Sequence, residues 1–210
     1  AFALPPLEAG AADRLAKSPR HGEWVTINAA GGDKVDAYIV YPERSDKAPV
    51  VIVVHEIFGL SDWVRSVADQ LAADGFIAVA PNFLSGKGPD GKGSRGMTVE
   101  QARPINSALK MDEVVARLNA VADYANALPA ASKQFGIVGY CWGGGVSFAY
   151  ATAQPRLGAS VVYYGVSPAK EALANVKAPV LGLYGGDDAR VNATVGPAQE
   201  EMKRLGKTYE

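Results

Sequence analysis

The pattern of hydrophobic and polar positions changes character near residue 50. Before that point, "EWVTINA" and "VDAYIVYP" alternate apolar with polar residues, and "AGGDK" joins them, which predicts a β-hairpin. From residue 50 onward, "VVIVV" and "FIAVAP" are continuous apolar runs, typical of strands that are buried on both faces. The first 20 residues are rich in alanine and proline and predict at most a short helix, as an N-terminal extension.

Segments with helical spacing separate the apolar runs in the rest of the chain. "SDWVRSVADQLAADG" has a serine that can cap its start and a glycine that can end it. A second helical stretch, residues 98–129, is expected to be interrupted at Pro104. Further strands are predicted at "QFGIVG", "ASVVYYG" and "APVLGLYGG", each followed by a helical segment, and "KTYE" resembles the start of another strand. This order predicts one α/β domain over residues 1–210, with a mostly parallel sheet and helices on both faces.

Composition and charge narrow the class of protein. Hydrophobic residues make up 48% of the 210 positions and charged residues 20%, as in an ordinary globular protein. The net charge of −1 does not indicate binding to nucleic acid or to an anionic membrane surface. No apolar run approaches the ~20 residues of a membrane-spanning helix. We therefore expect no nucleic-acid or membrane partner. The protein is expected to be a monomer or a small homo-oligomer, and the sequence does not determine which. The compartment stays open: the cytoplasm is favoured, and export with removal of a leader is the alternative.

The single cysteine stands in an unusual setting. Gly139-Tyr140-Cys141-Trp142-Gly143 lies between a predicted buried strand and a predicted helix, which is the nucleophile-elbow pattern with cysteine in place of serine. The N-terminus of the following helix would favour a thiolate at that point. The alternative is that Cys141 is a small buried hydrophobic residue beside a packing glycine. One cysteine cannot form an internal disulfide, and no cysteine–histidine metal pattern is present.

Four motifs together resemble the dienelactone hydrolase family of α/β-hydrolases, namely "HEIFGLSDW", "GYCWGG", "VVYYGV" and "YGGDDARV". The resemblance runs from "SPRHGEWV" to the end of the chain. It implies an α/β-hydrolase fold and a hydrolase that opens small esters or lactones. The implied machinery is a cysteine nucleophile, an acidic residue and a histidine, without a cofactor.

Carried over residue by residue, the resemblance implies that Cys141 is the nucleophile and that Glu56 holds or accepts its proton. The implied oxyanion-hole donors are the backbone N–H groups of Ile57 and Trp142. Asp188 is implied as the acid of the triad. Each carboxylate also has a simpler interpretation, Glu56 as an exposed loop residue and Asp188 as a turn aspartate, with Asp187 the fallback acid.

The histidines do not complete this pattern. His55 adjoins Glu56, and we expect it to support the oxyanion loop by hydrogen bonding rather than to act as a base. His21 precedes the hairpin and is expected to be structural or exposed. The family's histidine follows one more strand, and the sequence stops at "GKTYE", so the last strand, the histidine turn and the closing helix are expected to be missing. To explain the missing histidine, we favour a fragment of a longer chain, with impaired hydrolysis. The alternatives are a naturally short, inactive protein and a base supplied by His55 or Glu56.

Substrate recognition is the least determined part of the sequence. The carboxylate-bearing lactones typical of the family require a cation, for which Arg95 and Arg103, in and after a long glycine-rich loop, are the candidates. Phe83, Trp142 and Tyr164 are candidates for the pocket lining. The alternative function is a non-catalytic ligand-binding or redox-sensing protein, and a peptidase or thioesterase on the same scaffold is a third.

Overall fold

The computed structural model describes residues 9–210 as a seven-stranded, mostly parallel sheet with helices on both faces. The strands are β1 Gly22–Asn28, β2 Lys34–Val40, β3 Ala48–Val54, β4 Ile77–Pro81, β5 Ala131–Tyr140, β6 Ser160–Tyr163 and β7 Val180–Leu183, in the order β1-β2-β4-β3-β5-β6-β7. The β1–β2 hairpin is antiparallel, β2 also pairs antiparallel with β4, and all other neighbours are parallel. The predicted fold class and hairpin are confirmed.

The helices are α1 Ala11–Ala16, α2 Asp62–Ala73, α3 Val99–Ser107, α4 Met111–Ala127, α5 Trp142–Ala153 and α6 Ala189–Arg204, with short 3-10 turns at Ala30–Gly32, Gly93–Gly96 and Lys170–Asn175. Helix α2, with α1 packed against it, covers one face of the sheet, and α4, α5 and α6 cover the other. The short helix expected in the N-terminal extension is therefore α1, while residues 1–8 lie outside the described part. Across residues 9–210, no helix combines the length and apolarity needed to cross a bilayer.

The predicted interruption at Pro104 is wrong. Pro104 lies inside α3, and the break between α3 and α4 falls later, at 108–110. A capping box between Thr98 and Gln101 stabilises the first turn of α3. Pro104 is exposed, so water can solvate the carbonyl group that lost its N–H donor, and the helix continues through the proline.

The last residues of the chain pair in parallel with β7 through an isolated bridge between Val180 and Tyr209, where "KTYE" predicted strand structure. The Val180 N–H donates to the Thr208 carbonyl at 3.1 Å, and the Glu210 N–H donates to the Val180 carbonyl at 3.1 Å. Next to this edge, on the α2 face, an apolar groove of about 1050 Å³ crosses β3, β5, β6 and β7. Leu181 and Leu183 lie along it with 41% and 37% of their surface exposed.

Candidate active site

The cysteine occupies a strained turn at the carboxyl edge of the sheet. Strand β5 ends at Tyr140 and α5 begins at Trp142, and Cys141 between them has φ 56° and ψ −114°. A non-glycine residue in such a region costs about 1–3 kcal/mol, so the surroundings must hold it there. The Cys141 N–H donates to the Tyr163 carbonyl at 3.0 Å, and the Cys141 carbonyl accepts from the Gly144 N–H at 3.1 Å. The structure thus contains the predicted tight turn between a strand and a helix, with Cys141 on it.

The glycines on either side of the elbow are required by close backbone approach. A Cβ at Gly139 would lie 1.8 Å from the carbonyl oxygen of Gly143, far inside van der Waals contact. A Cβ at Gly143 would lie 2.5 Å from the carbonyl oxygens of Val54 and His55. Any side chain at these positions would therefore push the helix off the sheet, which gives the Gly-x-Cys-x-Gly pattern a steric cause.

Cys141 opens onto a cavity. The residue is half-buried and lines a space of about 400 Å³ together with Ile57 and Trp142, whose backbone amides were the expected oxyanion donors. As the first residue of α5, Trp142 has an N–H with no acceptor inside the helix. The cavity wall is otherwise mostly apolar, as at Met111 and Val166. The alternative of a cysteine sealed in the core does not fit this position.

His55 fastens the loop that carries Glu56 and Ile57. Its side chain is fully buried, with Nε2 accepting from the Phe83 N–H at 3.2 Å and Nδ1 donating to the Glu56 carbonyl at 2.7 Å. The ring stacks on Trp142 with centroids 5.6 Å apart. Burial lowers the pKa of His55 to about 4, opposed by its backbone hydrogen bonds, so the ring is neutral at pH 7. Both ring nitrogens are occupied, which confirms the supporting role and leaves no nitrogen to act as a base.

Phe83, a candidate for the pocket lining, is fully buried and packs edge-on against His55 and Trp142. Its carbonyl accepts from the Arg117 guanidinium at 2.6 Å, and Arg117 also forms a two-pronged ion pair with Asp33 at 2.7 and 2.9 Å. The supports of the loop that carries Glu56 and Ile57 thus run from His55 through Phe83 to a buried arginine on α4.

Glu56 is half-buried beside the elbow. The Tyr164 hydroxyl donates to its Oε1 at 3.2 Å. Burial raises the pKa of Tyr164, and the charge of Glu56 and the hydrogen bond to it add to the rise. The loop that carries Glu56 meets the elbow, since a Cβ at Gly143 would lie 2.5 Å from the carbonyl oxygen of the preceding residue, His55. The interpretation of Glu56 as a merely exposed loop carboxylate is inconsistent with this placement.

Asp188 lies at the same edge of the sheet, after β7, and caps α6. Its Oδ1 accepts from the Val191 N–H at 3.1 Å, while Asp187 is exposed. Neither histidine of the sequence is its neighbour: His55 is engaged as described, and His21 stands 3.8 Å from Glu23 in an exposed position. Across residues 9–210 the structure therefore places the expected acid without the expected imidazole.

The two expected substrate arginines lie away from the cysteine cavity. Arg95 pairs with Asp36 at 2.6 Å and stacks over Trp24, which ties the glycine-rich loop to the hairpin. Arg103 is exposed on α3. Arg190, in the first turn of α6, lines the cavity instead. Sequence reasoning missed it, although its position two residues after Asp188 placed it at the same sheet edge.

The arrangement of sheet, helices and elbow defines the α/β-hydrolase class. A crystal structure from Klebsiella pneumoniae, provisionally called a dienelactone hydrolase, superposes with a TM-score of 0.79 at 30% identity, over 91% of this chain and 83% of that one. A sequence model described as the dienelactone hydrolase family matches residues 35–210. The chain belongs to this family.

Individual relatives agree with the family match. The carboxymethylenebutenolidase of Pseudomonas sp. strain P51 is 32% identical over 175 residues, 81% of this chain and 73% of that protein. A provisionally named carboxymethylenebutenolidase of Salmonella typhimurium is 34% identical over 178 residues, 80% of this chain. The chain spans 65% of the length of that relative.

Proposed function

We propose that this protein hydrolyses a small ester or lactone through an acyl intermediate on Cys141. The observation that carries the proposal is a cysteine held at positive φ that lines a cavity together with Ile57 and Trp142. Membership of the dienelactone hydrolase family, and a relative named carboxymethylenebutenolidase, support the same chemistry.

In the acylation step, Glu56 accepts the thiol proton as the sulfur of Cys141 attacks the carbonyl carbon of the substrate. The carbonyl oxygen becomes negative and is stabilised by the N–H groups of Ile57 and Trp142, an effect worth about 3–4 kcal/mol for one donor. The intermediate collapses with cleavage of the carbon–oxygen ester bond. The departing alkoxide takes the proton from Glu56, and for a lactone it remains attached to the acyl chain. After this step Glu56 is ionised again and Cys141 carries the acyl group.

Deacylation requires a base that activates water against the thioester. In the arrangement implied by the family, Asp188 orients a histidine for this purpose. Neither His21 nor His55 is near Asp188, so we propose that residues 1–210 acylate faster than they deacylate and turn over poorly.

Arg190 is the candidate for substrate recognition, in place of Arg95 and Arg103. It is the charged residue among those lining the cysteine cavity, and across residues 9–210 no acidic side chain pairs with it. An unpaired guanidinium at a mostly apolar wall favours a small acyl group that carries a carboxylate. No cofactor is needed for any of these steps.

The experiment is acylation of the 210-residue chain by p-nitrophenyl acetate, followed by mass spectrometry of the intact protein. We expect one acetyl group on Cys141, released together with about one equivalent of p-nitrophenol, and none on the C141A variant. Alkylation of Cys141 by iodoacetamide without any acetylation would contradict the hydrolase and favour the ligand-binding or redox-sensing alternative.

The same assay tests Arg190 with a pair of esters. The R190Q variant should be about 3- to 30-fold slower toward p-nitrophenyl hydrogen succinate, because one charge-assisted contact is lost from a partly exposed site. Its rate toward neutral p-nitrophenyl butyrate should be unchanged. R103Q is the matched control, and equal loss toward both esters in R190Q would contradict a role in carboxylate recognition.

A further inference from the structure

Tyr164 occupies a costly backbone conformation next to the site. It follows β6 directly and has φ 41°, a region that L-residues with bulky side chains rarely adopt. Its N–H donates to the Leu183 carbonyl at 2.8 Å, which ties it to β7. The next residue, Gly165, is pressed against α5, since a Cβ there would lie 2.1 Å from the Gly145 nitrogen. The strained turn is therefore clamped on two sides.

This conformation places the phenol against the candidate proton acceptor. The Tyr164 hydroxyl donates to Glu56 Oε1 at 3.2 Å, and the carbonyl group of the adjacent Tyr163 accepts from the Cys141 N–H at 3.0 Å, which places the elbow next to this pair. Burial and the charge of Glu56 raise the pKa of Tyr164, so the hydroxyl keeps its proton and remains a donor. A donor to a carboxylate stabilises the ionised form of that carboxylate.

We propose that Tyr164 is a positioning residue for Glu56, whose carboxylate it keeps ionised and directed at the elbow. The inference rests on the proposed function, in which Glu56 accepts the proton of Cys141. It also explains why tyrosine stands at a position with positive φ. Glycine would relieve the strain there, but it would leave Glu56 without this donor.

The test is the pH dependence of the acylation burst, measured by stopped flow with p-nitrophenyl acetate at the isosbestic wavelength of p-nitrophenol. Each variant is scaled to its own plateau, so a partly inactive preparation does not distort the profile. In Y164F the acid limb should move up by about 0.5–1.5 pH units, a loss of ~3- to 30-fold at a pH below the inflection. Y163F is the matched control, because the neighbouring hydroxyl of Tyr163 makes no described hydrogen bond to Glu56, and its acid limb should stay in place.

The variant E56Q distinguishes a failure of the proposed acylation mechanism from a failure of the role of Tyr164. If E56Q keeps the acid limb of the wild type, Glu56 is not the proton acceptor, and the proposed acylation mechanism fails. If E56Q abolishes that limb while Y164F leaves it unmoved, the proposed mechanism stands and the role of Tyr164 is refuted. The double variant E56Q/Y164F should acylate no more slowly than E56Q alone, because Tyr164 acts through Glu56. A further loss in the double variant would show a merely structural role and overturn the inference.

Discussion

The buried histidine next to Glu56 should make the stability of the protein fall steeply in mild acid. His55 is fully buried, and its two nitrogens are held by Phe83 and the Glu56 carbonyl in a way that requires the neutral ring. Burial lowers its pKa from 6.5 to about 4 in the folded state. Between these values the unfolded chain binds a proton that the folded chain refuses, so the folded state loses stability as the pH falls.

The size of the effect follows from the pKa difference. One pKa unit is worth about 1.4 kcal/mol, so the fall of the His55 pKa from 6.5 to about 4 corresponds to about 3 kcal/mol. This contribution is fully present above pH 6.5 and is lost by about pH 4. Because a domain of this size has a total stability of only about 5–15 kcal/mol, such a loss is readily measured.

The assay is urea unfolding followed by tryptophan fluorescence at a series of pH values from 7 to 4, for the wild type and H55Q. Glutamine keeps one donor and one acceptor but does not titrate. H55Q should be less stable at pH 7, and its deficit should shrink by about 3 kcal/mol at pH 4. H21Q, at an exposed position, should keep the dependence of the wild type. Parallel curves for the wild type and H55Q would refute a neutral, buried His55.

Two further predictions concern the supports of the site. G139A should destabilise the fold by more than ~2 kcal/mol in urea unfolding, because its Cβ would lie 1.8 Å from the Gly143 carbonyl oxygen. G186A is the control and should have little effect, because a Cβ at that position meets no other atom. Equal stability of the two variants would contradict the close contact between β5 and α5 at the elbow. R117M leaves the buried Phe83 carbonyl without its donor and should cost about 1–3 kcal/mol, while Asp33, itself partly exposed, can be solvated by water. R156M, whose ion pair with Asp123 is exposed, should cost little.

Much of the fold could be predicted from local sequence patterns. Apolar runs such as Val50–Val54 require burial on both faces, and their alternation with helical segments leaves few arrangements other than a covered parallel sheet. The Gly-x-Cys-x-Gly pattern indicated a strained turn, since its glycines are needed wherever a strand and a helix meet that closely. Local pattern failed at Pro104, because whether a proline breaks a helix depends on what solvates the freed carbonyl group.

Within the candidate site, the sequence determined which residue types stand at the carboxyl edge of the sheet, because that depends on strand order and short motifs. Only the tertiary structure decided their partners. It turned Arg95 toward Asp36, brought Arg190 into the cysteine cavity and set the hydroxyl of Tyr164 on Glu56, 108 residues away along the chain. Such contacts depend on side-chain direction and on packing between elements that are distant in the sequence. The hydrophobic periodicity of the chain predicts neither of these.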